Sequence, residues 1–223
     1  TPQNEIMHYW TRLAPQFERE FLQTEDEASA GFTTLGGVMA GRRSFTGTSG
    51  PGHMIMQEAM CMAEMMRLPL VSIIQQRGGP STATVIYSQQ ESTLACYGGN
   101  GEGFRVVYST CNHQELFDYT IKAFNTAWKH FFPVFVLGDG YQAKMREPVT
   151  LYDPEARGVQ MIPTKPLLGL PGTPGVDRDP AQLRNTYNTE EELFAVVEDL
   201  RKAYEEIVPQ VAEYQTYDCD DCE

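Results

Sequence analysis

Leu68-Pro69-Leu70-Val71-Ser72-Ile73-Ile74-Gln75 runs directly into Gln76-Arg77-Gly78-Gly79-Pro80-Ser81-Thr82. The segment Leu68–Gln75 is apolar, rich in β-branched side chains and bounded by Pro69 and Gly78, which reads as a strand buried on both faces, the mark of a parallel sheet. Further strands are expected at Ser44–Thr46, Phe104–Ser109 and Val134–Leu137, with a short extended run at Phe21–Gln23. Between them lie helical patterns. Asn4–Leu13 places Ile6, Met7, Trp10 and Leu13 at helical spacing. Glu27–Ala40 is a helix of small residues (Ala28, Ala30, Gly31, Gly36, Gly37, Ala40) suited to close packing. Met54–Met66 is Met-rich and reads as adaptable core, and Glu115–Trp128 is amphipathic. Helices alternating with strands predict an α/β fold, a mostly parallel sheet flanked by helices.

Composition shifts near Arg146. Seven of the 14 prolines fall between Pro148 and Pro180, which excludes helix over most of that span. So long an irregular segment is usually functional or wrapped over a partner. A final helix follows, capped at Asn188 or Thr189 with Glu191 or Glu192 near the capping-box position, and running through Leu193, Val196, Val197, Leu200, Tyr204, Ile207 and Val211. The expected organisation is a domain over 1–147, a Pro-rich segment over 148–188, and an acidic helix and tail over 189–223.

The 223 residues are 41% hydrophobic and 11% aromatic, enough for a sizeable core. Of the net charge of −13, −10 lies from Thr189 onward, where 12 acids face Arg201 and Lys202. The body is nearly neutral and concentrates no Lys or Arg, which argues against nucleic-acid binding. No apolar run approaches the ~18 residues of a membrane span. No charged n-region with an apolar h-region is visible, so no secretory leader is expected. Five cysteines are an odd number. Cys61, Cys96 and Cys111 read as buried thiols, which fits a cytoplasmic location better than a disulfide scaffold.

Several constellations could carry chemistry. Gly47-Thr48-Ser49-Gly50-Pro51-Gly52 is a turn entering a helix, whose backbone N–H groups could meet an anion, although it lacks the Lys of a P-loop. Arg77 follows the buried strand, where α/β proteins collect ligands, and its guanidinium could hold a carboxylate; a solvated loop arginine fits the pattern equally well. Glu25-Asp26-Glu27 reads as a helix start, where acids favour the positive end of the dipole. Asp139 of Gly138-Asp139-Gly140 reads as an N-cap. Cys219-Asp220-Asp221-Cys222 supplies half of a tetrahedral site at most. The four histidines show no metal-ligand spacing, and no metal ligand is expected.

Taken together the segments resemble the alpha subunit, or first domain, of 2-oxoacid:ferredoxin oxidoreductases. Thr1-Pro2-Gln3-Asn4-Glu5 is similar to the end of the family's Tyr-Pro-Ile-Thr-Pro-Ser motif, and Gln23-Thr24-Glu25-Asp26-Glu27 to the acidic segment that follows. Thr48-Ser49-Gly50-Pro51-Gly52 and Gln76-Arg77-Gly78-Gly79-Pro80-Ser81-Thr82 match its two most specific motifs, and Glu115–Ala143, with Leu137-Gly138-Asp139-Gly140-Tyr141, its domain end.

The resemblance implies the pyrimidine-binding domain of a thiamine diphosphate enzyme that decarboxylates a 2-oxoacid oxidatively, forms acyl-CoA from coenzyme A and passes electrons to ferredoxin. It implies that Thr1 contacts substrate, Glu25 pairs with the aminopyrimidine, Arg77 meets the substrate carboxylate, and Thr48 and Ser49 bind cofactor. The cofactor is shared with a beta subunit that holds its diphosphate. Mg2+ and 4Fe-4S clusters are expected on partner subunits, gamma and delta subunits among them. The family has a strand and helix upstream and a second domain downstream, so the chain reads as a piece of a subunit lacking its N-terminal part. Val85-Ile86-Tyr87-Ser88-Gln89-Gln90 lacks the Lys of the family's Pro-Thr-Lys-Thr-Glu-Gln run, which favours a branched-chain 2-oxoacid over 2-oxoglutarate. The alternative is a non-catalytic interaction subunit that keeps the fold and has lost its site.

Overall fold

A computed structural model describes residues 2–85, 88–169, 183–214 and 216. The chain divides into two compact units, Thr1–Thr186 and Tyr187–Glu223. The first is built on strands β1 (Phe45–Thr48), β2 (Val71–Gln76), β3 (Val106–Ser109) and β4 (Val134–Asp139). They lie in the order β1-β2-β4-β3, each pair parallel. The α/β class and the parallel sheet are as the sequence predicts. All strands end at one edge: Thr48 is level with Ile74, Gln76 with Asp139 and Ser109 with Leu137.

Helices α1 (Asn4–Leu13), α2 (Glu27–Met39), α3 (Pro51–Ile55), α4 (Gln57–Met65), α5 (Ser92–Tyr97), α6 (His113–His130) and α7 (Gly140–Lys144) complete this unit. Side chains alternate across the pleat. Ile74, Phe135 and Leu137 share one face and join a core with Leu35 and Val38 of α2, Met56, and Met60 and Ala63 of α4. The small residues of α2 allow that approach: a Cβ at Gly31 would lie 2.7 Å from that of Ala59. The other face receives α6, through the Tyr108–Thr126 hydroxyl bond (3.1 Å) and the edge-to-face pair Phe45–Phe124.

Four expectations change. Phe21–Gln23 is not a strand; the residues before α2 are irregular. The Met-rich helix begins at Pro51 and breaks at Met56 into α3 and α4. Helix α5 interrupts the segment between Thr82 and Phe104 unannounced, its six residues being too few to show a period. Cys111 is exposed, and Cys61 and Cys96 are only half-buried, though all three are free thiols. Cys96 lies near enough the interior for burial to push its thiol pKa up, against the pull of Arg105.

The Pro-rich segment, over its described residues, wraps its own body. Tyr152 donates to Asp118 (2.5 Å) and Asn125 brackets the chain at Gln160 and Ile162. Leu167 is fully buried in the core, its N–H donating to Met39 O (2.8 Å).

The second unit contains α8 (Glu190–Val211). Thr189 caps it, its hydroxyl accepting from Glu192 N–H (3.2 Å), and Glu190, Glu191 and Glu192 fill the first turn, where the dipole favours acids. Leu200, Ile207 and Val211 are its buried positions. Arg201 pairs with Glu198 and Glu205 one turn either way. The Cys219–Cys222 pair lies outside the described residues. Among the described residues, no helix is long and apolar enough to cross a membrane.

Candidate functional site

The carboxyl edge of the sheet gathers the chemistry-bearing segments. Beyond β1, Thr48-Ser49 leads to Gly50 at φ +58° and ψ −125°, a backbone conformation open to glycine alone. A Cβ at Gly50 would run into the Arg77 guanidinium, so the head of Arg77, one residue beyond β2, lies directly over this turn. Arg77 is buried, with 9% of its surface exposed. The solvated-loop reading of this arginine therefore fails.

The turn is no anion cradle. Helix α3 is a short stub, and the Gly50 N–H is already taken, donating to Glu91 Oε1 (2.9 Å). Glu91 occupies the N-cap position of α5 without capping it. Its side chain instead reaches the sheet edge, where Oε2 accepts the Arg77 N–H (2.9 Å) and Oε1 also pairs with His53 Nδ1 (3.1 Å). A carboxylate only accepts, so Nδ1 carries the proton in this bond. Burial opposes the charge of Glu91, but the His53 bond and the N–H groups of Gly50 and Arg77 outweigh it and hold its pKa below the usual carboxylate range.

On the flanking residues, Gly79 N–H donates to Gln90 Oε1 (2.7 Å) and Ser92 Oγ to Gln76 Oε1 (3.1 Å). Three consecutive residues, Gln90, Glu91 and Ser92, thus grip the end of β2.

The acidic trio separates by role. Asp26 caps α2, accepting from Ser29 N–H (2.7 Å), a bond that lowers its pKa. Glu25 is exposed. Glu27, half-buried, lies against the turn: a Cβ at Gly52 would stand 2.5 Å from its Oε1. Thr48 Oγ1, Ser49 Oγ and His53 Nε2 are buried and have no hydrogen-bond partner within the described residues. Buried polar atoms are nearly always partnered, so these three, in the turn and the helix it enters, are open to a bound group. Thr1 lies outside the described residues. Asp139 is the N-cap of α7, as its sequence suggests, accepting from Gln142 N–H (2.8 Å). Among the described residues no cluster of His, Cys, Asp or Glu could hold a metal ion.

The structure thus brings Arg77, Thr48 and Ser49 together and leaves Glu25 outside. Sequence reading missed Glu91, His53 and Glu27. Glu27 was visible as the acid that opens the small-residue helix. Glu91 carried no signal, because its partners are 14 and 41 residues away.

An aminopyrimidine needs a carboxylate and hydrogen-bonding groups around its ring, and Glu27 with the three orphaned groups fits that need. The family profile described as pyruvate flavodoxin/ferredoxin oxidoreductase, thiamine diphosphate-binding, matches residues 1–216. The 2-oxoglutarate synthase subunit KorA of Methanothermobacter thermautotrophicus is 40% identical over 154 residues, 69% of this chain and 41% of that protein. The ketoisovalerate oxidoreductase subunit VorB of Methanothermobacter marburgensis is 30% identical over 220 residues, 96% of this chain and 62% of that protein. The chain therefore spans about half the length of these relatives. Among solved structures, the 2-oxoglutarate:ferredoxin oxidoreductase from Magnetococcus marinus with 2-oxoglutarate, coenzyme A and succinyl-CoA bound superposes with a TM-score of 0.80 at 27% identity, over 96% of this chain and 41% of that one. A profile that matches nearly the whole chain, together with a relative 40% identical over 69% of it, settles the family: the chain belongs to the thiamine diphosphate-binding family of pyruvate flavodoxin/ferredoxin oxidoreductases.

Proposed function

We propose that this chain supplies the pyrimidine-binding wall of a thiamine diphosphate site in a 2-oxoacid:ferredoxin oxidoreductase. The observation that carries the reading is the buried Arg77 lying over the Thr48–Gly52 turn, with Glu27 against the same turn. Thiamine diphosphate, when bound, supplies the carbanion and electron-sink chemistry that 2-oxoacid decarboxylation requires. The side chains do the rest. Arg77 holds the substrate carboxylate through its planar fork. A glutamate shares a proton with the aminopyrimidine; Glu27 is favoured over Glu25, because Glu27 lies half-buried against the turn and Glu25 is exposed. Thr48, Ser49 and His53 offer their unpaired atoms to the ring. The family motif that Thr1 matches assigns it a contact with substrate.

The diphosphate, Mg2+ and the 4Fe-4S clusters are assigned to beta, gamma and delta subunits, coenzyme A is the co-substrate, ferredoxin the electron acceptor, and the location cytoplasmic. The relatives bear names for 2-oxoglutarate and for ketoisovalerate; the missing Lys beyond Arg77 favours the branched-chain acid. The test is to reconstitute the chain, within its full subunit, with the partner subunits and measure ferredoxin reduction that depends on a 2-oxoacid and coenzyme A. Turnover with 2-ketoisovalerate ahead of 2-oxoglutarate supports the whole reading. The reverse preference removes the branched-chain part. Assembly without turnover on any 2-oxoacid favours the non-catalytic interaction module.

A further inference from the structure

We propose that Glu91 is a positioning residue that locks the substrate arginine and the cofactor turn into one rigid unit, with His53 setting its carboxylate. The inference rests on the reading of Arg77 and of the Thr48–Gly52 turn given above. Its own ground is geometry. The turn follows β1 and Arg77 follows β2, and each needs a fixed partner if a substrate carboxylate and a cofactor ring are to meet in register. Glu91 provides one carboxylate for both: Oε1 takes the Gly50 N–H and Oε2 the Arg77 N–H. The fully buried His53, three residues beyond Gly50, closes the triangle on Oε1. A carboxylate that only accepts suits this place, because all three partners donate. Gln90 and Ser92, bonded to Gly79 and Gln76, hold the backbone from which Glu91 reaches.

The chemistry of substitution follows. Glu91→Gln keeps the size but puts an NH2 where one oxygen accepted, so either Gly50 or Arg77 faces a donor and loses its bond, and because one side chain ties the two, the freed segment loosens the other. Glu91→Asp keeps the charge and shortens the reach. If Glu91 positions rather than merely stabilises, the damage appears first in how well Arg77 meets substrate.

The experiment compares the wild-type, Glu91→Gln and Glu91→Asp forms of the assembled complex by two readouts. The first is amide hydrogen exchange of peptides covering 48–53 and 77–79. The second is KM and kcat for the 2-oxoacid. Glu91→Gln is expected to speed exchange in both peptides about tenfold and to raise KM about tenfold or more while kcat falls by less, with Glu91→Asp intermediate in both. Faster exchange in only one peptide, or an equal fall in kcat with KM unchanged, overturns the proposal. Should Glu91→Gln fail to assemble, Glu91→Asp decides by the same criteria. Should the wild-type complex turn over no 2-oxoacid, the proposed function fails, while coupled exchange of the two peptides still tests the lock.

Discussion

Glu64 and Glu91 are both buried carboxylates, and they end in opposite circumstances. Glu64 meets Arg105 through both oxygens, and Arg105 spends its remaining donors on Ala95 O (3.3 Å), Gly98 O (2.8 Å) and Gln57 Oε1 (3.5 Å) while lying over the Phe135 ring. That network is closed and staples α4 to α5 and to the start of β3. Burial outweighs the pull of Arg105 and pushes the Glu64 carboxyl up. Glu91 sits among backbone N–H groups and a histidine, and its pKa falls. Its surroundings are also unfinished: Thr48 Oγ1, Ser49 Oγ and His53 Nε2 lack partners within the described residues. A network that satisfies itself holds a fold together; one that leaves buried atoms over keeps donors and acceptors open to a bound group.

The largest effect should come from breaking the closed network. Arg105→Met strands Glu64 as a buried charge and is expected to destabilise the protein by about 3–5 kcal/mol, read as a loss of denaturation midpoint. Turnover per folded molecule should hardly change; a selective rise in KM would show that the two networks are not separate.

Glu27→Gln should lower kcat about 10²-fold or more, the range of a positioned acid–base group. Glu25→Gln, at an exposed position, should stay within about threefold of wild type. The reverse ranking, measured in the reconstituted complex, would return the role to Glu25.

Arg77→Lys keeps the charge and loses the fork. The fall in kcat/KM should be about 10- to 150-fold, matching a charge-assisted bond of roughly 1.5–3 kcal/mol, mostly through KM for the 2-oxoacid. Weakened thiamine binding with KM unchanged would reassign Arg77 to the cofactor.

The smallest effect is in pH. Glu91 has a depressed folded-state pKa, so its contribution is full above the unfolded value near 4.3 and is lost as pH falls through the folded value. The stability difference between wild type and Glu91→Gln should stay level from neutral pH to about 4.3 and shrink below it. Glu64 has a raised pKa, so its ionised form costs stability as pH rises through that value. Wild type should therefore gain on Glu64→Gln as the solution is acidified from the raised folded value down to the unfolded value near 4.3, and stay level below it. Slopes of the same sign for the two variants would erase the distinction between the networks.

The sequence by itself determined the elements whose signal is local. The β-branched run over Leu68–Gln75 announced a buried parallel strand, Asp139 and either Asn188 or Thr189 announced helix caps, and the place of Arg77 just after that strand put it at the sheet's carboxyl edge. Each depends on residues within a few positions of one another, through side-chain period, cap chemistry or turn geometry. Tertiary structure alone decided which acid of Glu25-Asp26-Glu27 faces the turn, since Glu27 opens α2 and only the packing of α2 against α3 and α4 sets which way its first residue points. It alone wrapped the Pro-rich segment over its own body, through bonds between residues some 35 positions apart. And it alone brought Glu91 to Gly50 and Arg77, because strands that follow one another across helical crossovers end side by side, and a carboxylate between them has no local signature in the chain.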